Sequence, residues 1–378
     1  MKAEYILFVC EHYNPLGIAR SLGENGILPI GIIIKSDPKI TSKSKFFKKI
    51  YLVDSIEEGY DLLIKKFASI ETKHYLFSAD DKIETYLDSK YDELKEFFWF
   101  FNAGEKGRVA FYMNKDNINK LALKHGLNVL PTYVVNTGEI PEGLEYPVIT
   151  KVLASTMGAW KNDVFICNNE DELIAAYKKI KSPKLLLQKY IKKKNEYCME
   201  GFSVNHGKSS MITIVSTYNY VLKDQYSPYM TCKNLDRLEI LPGLQSMISE
   251  IGYEGIYEVE FLLDENDVLY FLEINFRNST WSYASTKAGM PLPILWSKYM
   301  QIGLIDNLCL KKIKDNFTAM VEPQDFKVRV TGGKIKLLKW IKDFNKADCK
   351  YFIGKSDLRP VVYLVKRKIF NLSKRQKG

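Results

Sequence analysis

The segment that decides the fold of this chain is residues 256–280, IYEVEFLLDENDVLYFLEINFRNST. On both sides of the polar residues 264–267, apolar side chains recur at every second position. A period of two around a short polar turn predicts two antiparallel strands joined as a hairpin. The strands therefore present alternate residues to opposite faces of a sheet.

One face of this hairpin carries polar side chains at the end away from the turn. If the turn has two or four residues, Leu263 pairs with Val268. The polar residues that then share the face are Glu258, Glu260, Glu273, Asn275 and Arg277. Two of them, Glu260 and Glu273, are diagonal neighbours with Cα atoms about 7–8 Å apart, so both carboxylates can lean onto one ion. An odd number of turn residues would break this arrangement, and the sequence leaves that alternative open.

A solvated acidic surface is the plain alternative for these carboxylates. In the same register, however, Leu262, Leu269 and Phe271 lie on the acidic face, so we expect the hairpin to be covered on both sides. Buried carboxylates need a cation, and a set of two carboxylates and an amide suits Mg²⁺ rather than zinc. The predicted metal ligands are Glu260, Glu273 and Asn275.

The composition is that of a globular protein with several compact units. The chain has 378 residues, 46% hydrophobic and 26% charged, for which roughly two to four units are expected. A formal net charge of +10 favours anionic partners, and nucleotides, nucleic acid and acidic membranes all meet that condition. No recognisable nucleic-acid module occurs in the sequence, so no specific nucleic-acid partner is expected.

The cysteines argue against a disulfide framework or a zinc site. They are Cys10, Cys167, Cys198, Cys232, Cys309 and Cys349, with no CxxC pair and no Cys/His ligand spacing. Scattered, reduced thiols are typical of cytoplasmic proteins. No apolar run approaches the roughly 18 residues of a membrane span, and the run 5–10 is too short for a signal-peptide core. We therefore expect a cytoplasmic location.

The first part of the chain predicts a parallel sheet. Apolar strands at 5–10 and 28–34 flank a helical pattern at 18–24, which is a βαβ unit. Ligands bind beyond the carboxyl ends of such strands, so His12, Tyr13 and Asn14 are candidate site residues. Asp80 follows another strand, where it can either cap a helix or bind a substrate amine.

A lysine in the middle of the chain is a candidate phosphate ligand. Lys151 lies in an apolar strand, 146–152, and is followed by residues 154–160, which are mostly small and include Ser155 and Gly158. A lysine beside a loop with free backbone N–H groups suits polyphosphate binding. The alternative is a lysine whose ammonium simply reaches solvent from the strand end.

Together these segments resemble the ATP-grasp superfamily over about residues 1 to 310. The resemblance rests on Lys151 with its loop, on Gln-Lys-Tyr-Ile from Gln188, and on Glu-Ile-Asn-Phe-Arg from Glu273 to Arg277. It implies that Glu260, Glu273 and Asn275 hold the Mg²⁺, or Mn²⁺ as a substitute, that bridges ATP phosphates. It also implies that Arg277 and Lys151 serve catalysis, with Arg277 facing the anionic substrate or its acyl-phosphate.

The same resemblance implies a set of ATP-binding residues. They are Lys151, Ser155, Gly158, Gln188, Lys189, Ile191 and Glu196. In the family such residues contact the phosphates, cover them with a loop, bond adenine at a hinge and hold the ribose hydroxyls. The chain departs from the pattern at Gln188, where an acid is common, and at the loop, where Gly158 is the only glycine.

The resemblance implies an α/β fold with an α+β lid. The expected units are a Rossmann-like pre-ATP-grasp domain at 1–110, a central subdomain with the phosphate loop at 111–190, a subdomain with the magnesium site at 191–312, and an irregular basic extension at 313–378. The front end looks similar to D-aspartate ligase-like and short carbamoyl-phosphate-synthase-like carboxylate–amine ligases.

The implied activity is ATP-dependent joining of a carboxylate to an amine through an acyl-phosphate. An ATP-grasp phosphotransferase and a non-catalytic nucleotide-binding protein are the alternatives. The implied partners are small carboxylate and amine substrates of amino-acid type. Residues 218–237 are a candidate part of the acceptor pocket, and Lys223 among them is a candidate phosphate ligand. Contact of the basic tail with an acidic surface, a frayed tail and a homodimer all stay open.

Overall fold

The structure is a computed structural model that describes residues 3–153, 163–222 and 226–375. Ser155, Gly158 and the rest of the expected phosphate loop lie outside these ranges, as does Lys223. Within them, no helix has the length and apolar character needed to cross a membrane.

The first layer is a parallel sheet of five strands, and it confirms the expected βαβ arrangement. Its strands are β1 (Tyr5–Cys10), β2 (Ile30–Ile34), β3 (Lys49–Val53), β4 (His74–Phe77) and β5 (Phe98–Trp99), in the order β3-β2-β1-β4-β5. Its helices are α1 (Tyr13–Gly23), α2 (Ile56–Phe67), α3 (Asp81–Ser89), α4 (Tyr91–Leu94) and α5 (Arg108–Tyr112). The apolar run of β1 is continuous because Leu7 and Val9 enter one core while Ile6 and Phe8 enter another.

The second layer is a small antiparallel sheet. After α6 (Lys115–Lys124) come β6 (Thr132–Asn136), β7 (Val148–Lys151), β8 (Ile166–Cys167), α7 (Glu170–Tyr177) and β9 (Lys184–Lys189). The strands are ordered β6-β9-β7-β8, and this sheet encloses a core of its own around Val148, Leu173 and Leu187. The middle strands β7 and β9 carry Lys151 and Gln188.

The third layer is a sheet of seven strands that contains the predicted hairpin. Its strand order is β14-β13-β10-β11-β12-β15-β16. The strands are β10 (Asn195–Val204), β11 (Ser209–Tyr218), β12 (Tyr229–Lys233), β13 (Gly255–Leu263), β14 (Leu269–Asn275), β15 (Phe317–Met320) and β16 (Cys349–Lys350). The helices are α8 (Leu241–Ile251), α9 (Ser282–Lys287), α10 (Leu292–Ile302), α11 (Glu322–Asp325), a π-helical turn (Phe326–Thr331), α12 (Leu337–Lys346) and α13 (Arg359–Arg375). Short 3₁₀ turns occur at Thr41–Lys43, Leu238–Ile240 and Asn307–Cys309.

The hairpin is present, but its predicted register near the turn is wrong. Leu263 pairs with Leu269, so five residues form the turn, and a bulge between Glu260 and Phe261 absorbs the extra residue. Asp267 takes the left-handed conformation (φ 61°), and the Asp264 carboxylate accepts hydrogen bonds from Asn266 N and Val268 N. This polar loop stabilises a longer turn than the alternation alone indicated.

The bulge also changes which side chains share the acidic face. Glu260 lies directly opposite Glu273 rather than diagonal to it. Phe271 pairs with Phe261, with ring centroids 5.8 Å apart, and is fully buried on the other face together with Leu269. The five-residue turn and the bulge each shift the strand pairing by one residue. Beyond the bulge the total shift is two residues, so the carboxylates still share a face. Leu269 and Phe271 lie before the bulge and do not join them.

The final segment is not irregular, and that prediction is wrong. β15 pairs with β12, and β16 pairs with β15, so the segment extends the large sheet. These strands have four and two residues, too short for a clear alternation in the sequence.

Arg20 in α1 ties this segment to the first layer. It is fully buried and donates to the backbone oxygens of Tyr351 (2.6 Å), Phe352 (3.0 Å) and Asp357 (2.8 Å). Because three carbonyls accept from one guanidinium, the C-terminal segment is fastened to the N-terminal helix.

Candidate active site

The predicted metal ligands come together on the hairpin. Asn275 Nδ2 donates to Glu258 Oε2 and to Glu260 Oε1, each at 3.0 Å, and Glu273 lies across the strand from Glu260. Burial, together with the charges of Glu258 and Glu273, raises the pKa of Glu260 well above its usual value. Carboxylates held this close without enough positive charge are a site that favours a cation.

The row of carboxylates continues into β10, where the sequence analysis missed Glu200. This residue is fully buried and accepts hydrogen bonds from the hydroxyls of Ser279 and Ser282. Burial raises the pKa of Glu200 to about 7, and the two serine hydrogen bonds limit the rise. Glu200 is paired with Glu258 across the strands, so four glutamates cross three neighbouring strands.

Within the described ranges, no three His, Cys, Asp or Glu side chains are arranged to hold a metal ion by themselves. A cation at the hairpin would therefore need the amide oxygen of Asn275, or oxygens of a bound molecule, beside the carboxylates. Both are hard oxygen ligands, so the donor chemistry fits Mg²⁺.

Lys115 is a cation of the candidate site that the sequence analysis missed. It is the first residue of α6, after the cap Asn114, and its ammonium forms an ion pair with Glu273. Burial lowers the pKa of Lys115, but the charge and hydrogen bond of Glu273 outweigh that effect, so the pKa is raised. A lysine in the first turn of a helix opposes the helix dipole, which favours acids there, and this was the available signal.

Lys151 projects from β7 and is hydrogen-bonded inside the protein. Its Nζ donates to Gln188 Oε1 at 2.8 Å, and Gln188 Nε2 donates to Thr132 Oγ1 at 3.1 Å. Burial and the charge of Lys115 lower the pKa of Lys151 to about 8. The ammonium is therefore held by the buried side chain of Gln188, and the snorkelling alternative does not describe it.

The remaining expected nucleotide ligands are placed less directly. The Lys189 ammonium donates to the backbone oxygen of Tyr146 (3.0 Å), and Ile191 follows the end of β9. Glu196 accepts from the hydroxyl of Tyr218 at 2.8 Å and pairs with the Lys193 ammonium. Both Glu196 oxygens thus already have partners, so ribose binding would require one of them to be exchanged.

Arg277 joins the hairpin to the first layer. Its Nε forms an ion pair with Asp81 at the start of α3, and its Nη2 donates to Asn275 Oδ1 at 3.3 Å. Burial lowers the pKa of Arg277, but the charge of Asp81 outweighs it and raises the pKa overall. Asp80 accepts from Lys82 N and Ile83 N, which is the capping role rather than amine binding.

The residues after β1 lie close to Arg277. His12 Nδ1 accepts from Asn14 N at 3.2 Å, and Asn14 exchanges hydrogen bonds with Asn278, just beyond Arg277. Burial and the charge of Arg277 lower the pKa of His12 to about 4. The hydroxyl of Tyr13 lies 2.8 Å from that of Tyr226, which belongs to the expected acceptor tract.

Comparison with known proteins shows which family the chain resembles. The family model described as "Carbamoyl-phosphate synthase L chain, ATP binding domain" matches residues 115–304, which is half of the chain. A D-alanine–D-alanine ligase from Fusobacterium nucleatum is 28% identical over 44% of this chain, and the chain spans 56% of that relative's length.

Two solved structures show the same fold. An L-amino acid ligase from Bacillus licheniformis has a TM-score of 0.62 and 14% identity, with 79% of this chain and 74% of that chain covered. The biotin carboxylase domain of a 2-oxoglutarate carboxylase from Hydrogenobacter thermophilus, in complex with MgADP, ADP and bicarbonate, has a TM-score of 0.64 and 17% identity, with 86% and 76% covered. The resemblance to the ATP-grasp superfamily is thereby confirmed, and the chain belongs to the family of the carbamoyl-phosphate synthase L chain, ATP binding domain.

Proposed function

We propose that this protein is an ATP-dependent ligase that joins a carboxylate to an amine through an acyl-phosphate, releasing ADP and phosphate. The observation that carries the proposal is the pair Glu260 and Glu273, held opposite each other on β13 and β14 and approached by Lys115 from α6. Two amino-acid ligases among the similar proteins support the reaction class.

Glu260, Glu273 and Asn275 would hold Mg²⁺, with Mn²⁺ as a substitute. The raised pKa of Glu260 indicates that this group lacks positive charge, and all three residues offer oxygen ligands. When bound, the ion would neutralise charge on the phosphate oxygens of ATP. The solved neighbour in complex with MgADP supports this assignment.

Lys151 and Lys115 would bind the phosphates of ATP from two sides. Lys151 is held by Gln188 at 2.8 Å, so its ammonium is positioned before the nucleotide arrives. With a pKa of about 8 it is mostly charged at neutral pH. The further nucleotide contacts proposed are those of Ser155, Gly158, Gln188, Lys189, Ile191 and Glu196.

The reaction requires no side-chain nucleophile. A carboxylate oxygen of the acid attacks the γ-phosphorus, and the bond to the bridging oxygen of ADP breaks. The amine nitrogen then attacks the carbonyl carbon, loses a proton and displaces phosphate. The protein's part is to position the reactants and to balance charge. Arg277, fixed by Asp81, would hold the acyl-phosphate through paired N–H donors.

His12 would help to orient the carboxylate substrate. With a pKa of about 4 it is neutral at pH 7, and because Nδ1 accepts a hydrogen bond from Asn14 N, the proton lies on Nε2. A neutral Nε2–H donor beside the Arg277 guanidinium suits an anionic oxygen. Tyr13 and Tyr226, joined by their hydroxyls, would contact the amine substrate.

The test is a screen of carboxylate and amine pairs for ADP formation, with ¹⁸O-labelled carboxylate for each active pair. We expect ADP release that depends on both substrates and label in the inorganic phosphate. ADP release with a stable phosphorylated acid and no amide would support a phosphotransferase instead. Nucleotide binding without ADP release for any pair would support a non-catalytic protein.

A further inference from the structure

Helix α12 is fastened to the protein along one side. Trp340 Nε1 donates to Asp325 Oδ2 at 2.8 Å, and the Trp340 and Phe344 rings stack with centroids 5.2 Å apart. Asp343 accepts from Arg329 at 2.7 Å. These contacts fix which side of the helix faces outwards.

The outward side carries an apolar strip. Leu337, Leu338 and Ile341 have exposed fractions of 49%, 81% and 40%. At about 100° per residue, the three side chains fall within roughly one third of the helix circumference. Aliphatic residues concentrated on the outer arc of a surface helix indicate an interaction face.

Lysines are frequent in this helix and in the residues before it. Residues 327–346 contain six of them, all exposed, at Lys327, Lys334, Lys336, Lys339, Lys342 and Lys346. None of the six forms an ion pair with another described residue. The acidic residue of this stretch, Asp343, is already paired with Arg329. The outward face therefore combines aliphatic surface with unneutralised positive charge.

We propose that the outward face of α12 docks onto an anionic lipid membrane. An amphipathic helix with aliphatic side chains on one arc and lysines beside it binds in the plane of such an interface. A second copy of the chain would bring like charges together. Nucleic acid would bind the lysines but would not cover the aliphatic strip. The ligand is the anionic headgroup layer with the acyl chains beneath it, and the proposal does not rest on the reaction catalysed.

The test is co-sedimentation of the full chain with phosphatidylcholine vesicles that contain about 30% phosphatidylglycerol. We expect binding to these vesicles, release by roughly 1 M salt, and little binding to pure phosphatidylcholine. Failure to bind the anionic vesicles would overturn the proposal.

Two pairs of variants assign the binding to α12. Lys339→Glu/Lys342→Glu should weaken binding at least about tenfold, since each lysine near an anionic surface contributes measurably. The matched control Lys65→Glu/Lys66→Glu makes the same change in net charge on exposed lysines of α2 and should bind like the wild type. Equal loss in both would show a general charge effect and refute the site.

Leu338→Asn tests the apolar part of the face. It should weaken vesicle binding several-fold, whereas Leu308→Asn, at a leucine that is 92% exposed elsewhere, should not. Unchanged binding of Leu338→Asn, with equally tight binding to soluble heparin, would show polyanion binding and contradict membrane docking. Circular dichroism of all four variants verifies that the fold is retained.

Discussion

Two buried groups of charged side chains lie near opposite ends of the large sheet, and they differ in how their charges are paired. The hairpin cluster consists of Glu258, Glu260, Glu273 and Asn275, with Lys115 and Arg277 beside it. The α12 cluster consists of Asp325, Arg329, Asp343, Trp340 and Tyr220.

In the α12 cluster every charge has a partner. Both oxygens of Asp325 accept from Arg329, and the carboxylate also accepts from Tyr220 and Trp340 at 2.8 Å each. In the hairpin cluster, burial and like charges raise the pKa values of Glu258 and Glu260. The first arrangement stabilises the fold, whereas the second favours the binding of a further cation.

The largest expected effect is a loss of turnover, without a loss of stability, when a glutamate of the hairpin cluster is replaced. Glu273→Gln and Glu260→Gln should each lower Mg²⁺-dependent ATP turnover by about 10³-fold, because a charge that holds the ion is lost. The melting temperature should not fall for Glu260→Gln, since the charged form of that residue is disfavoured by burial. Glu265→Gln, in the exposed turn of the same hairpin, is the control. Wild-type turnover in both variants would refute the metal site.

The α12 cluster should respond in the opposite way. Asp325→Asn leaves the buried Arg329 short of its main partner, which should destabilise the protein by about 3 kcal/mol. A melting curve should show a fall of roughly 4 °C. Steady-state turnover per folded molecule at low temperature should stay unchanged. A loss of turnover without a change in melting temperature would reverse the roles assigned to the two clusters.

Replacing Lys151 should have the next largest effect on activity. Lys151→Ala should weaken ATP affinity or turnover by about 10²-fold, because a positioned charge on the phosphates is removed. Lys184→Ala, an exposed lysine at the start of β9, serves as the control. Nucleotide titration and initial rates are the measurements, and wild-type values for both would disprove the role.

Arg277→Lys should distinguish the two substrates of the site. An ammonium cannot make the paired contact of a guanidinium, so the KM for the carboxylate should rise about tenfold while the KM for ATP changes less. Steady-state kinetics with each substrate varied in turn provide the comparison. An equal rise in both KM values would argue against carboxylate binding by Arg277.

The smallest expected effect is a pH dependence of ATP binding. The pKa of Lys151 is lowered to about 8, and the cationic form that binds phosphate exists below that value. Bound phosphates raise the pKa, so affinity should be constant below pH 7 and fall about fivefold between pH 8 and 9. Isothermal titration at each pH measures it. Lys151→Arg should remove the dependence, and an identical profile in that variant would exclude Lys151 as its source.

The sequence predicted the acidic face of the hairpin but not its pairing. Alternation identifies which residues share a face, whereas turn length and bulges depend on backbone hydrogen bonds such as those accepted by Asp264. As a result the direct pair Glu260 and Glu273 was expected to be diagonal.

Residues brought in from other elements were the harder part to predict. Lys115 and Glu273 are 158 positions apart, and Arg277 and Asp81 are 196 apart. Nothing local in the sequence specifies such contacts, because they depend on how the three layers pack. The buried strands β1 and β2, in contrast, were predictable because each lies in a continuous apolar run.

The hydrogen bonds of Arg20 to residues 351–357 determine what happens when the chain is cut or shortened. Protease cleavage at the exposed glycines 332 and 333 would produce two fragments that stay associated, since the second supplies β16 and the carbonyls that surround the guanidinium. Removal of everything after residue 312 would instead leave Arg20 without its carbonyl acceptors and β12 with an open edge. Such an edge recruits strands from neighbouring chains, so the shortened protein would aggregate rather than remain a minimal enzyme.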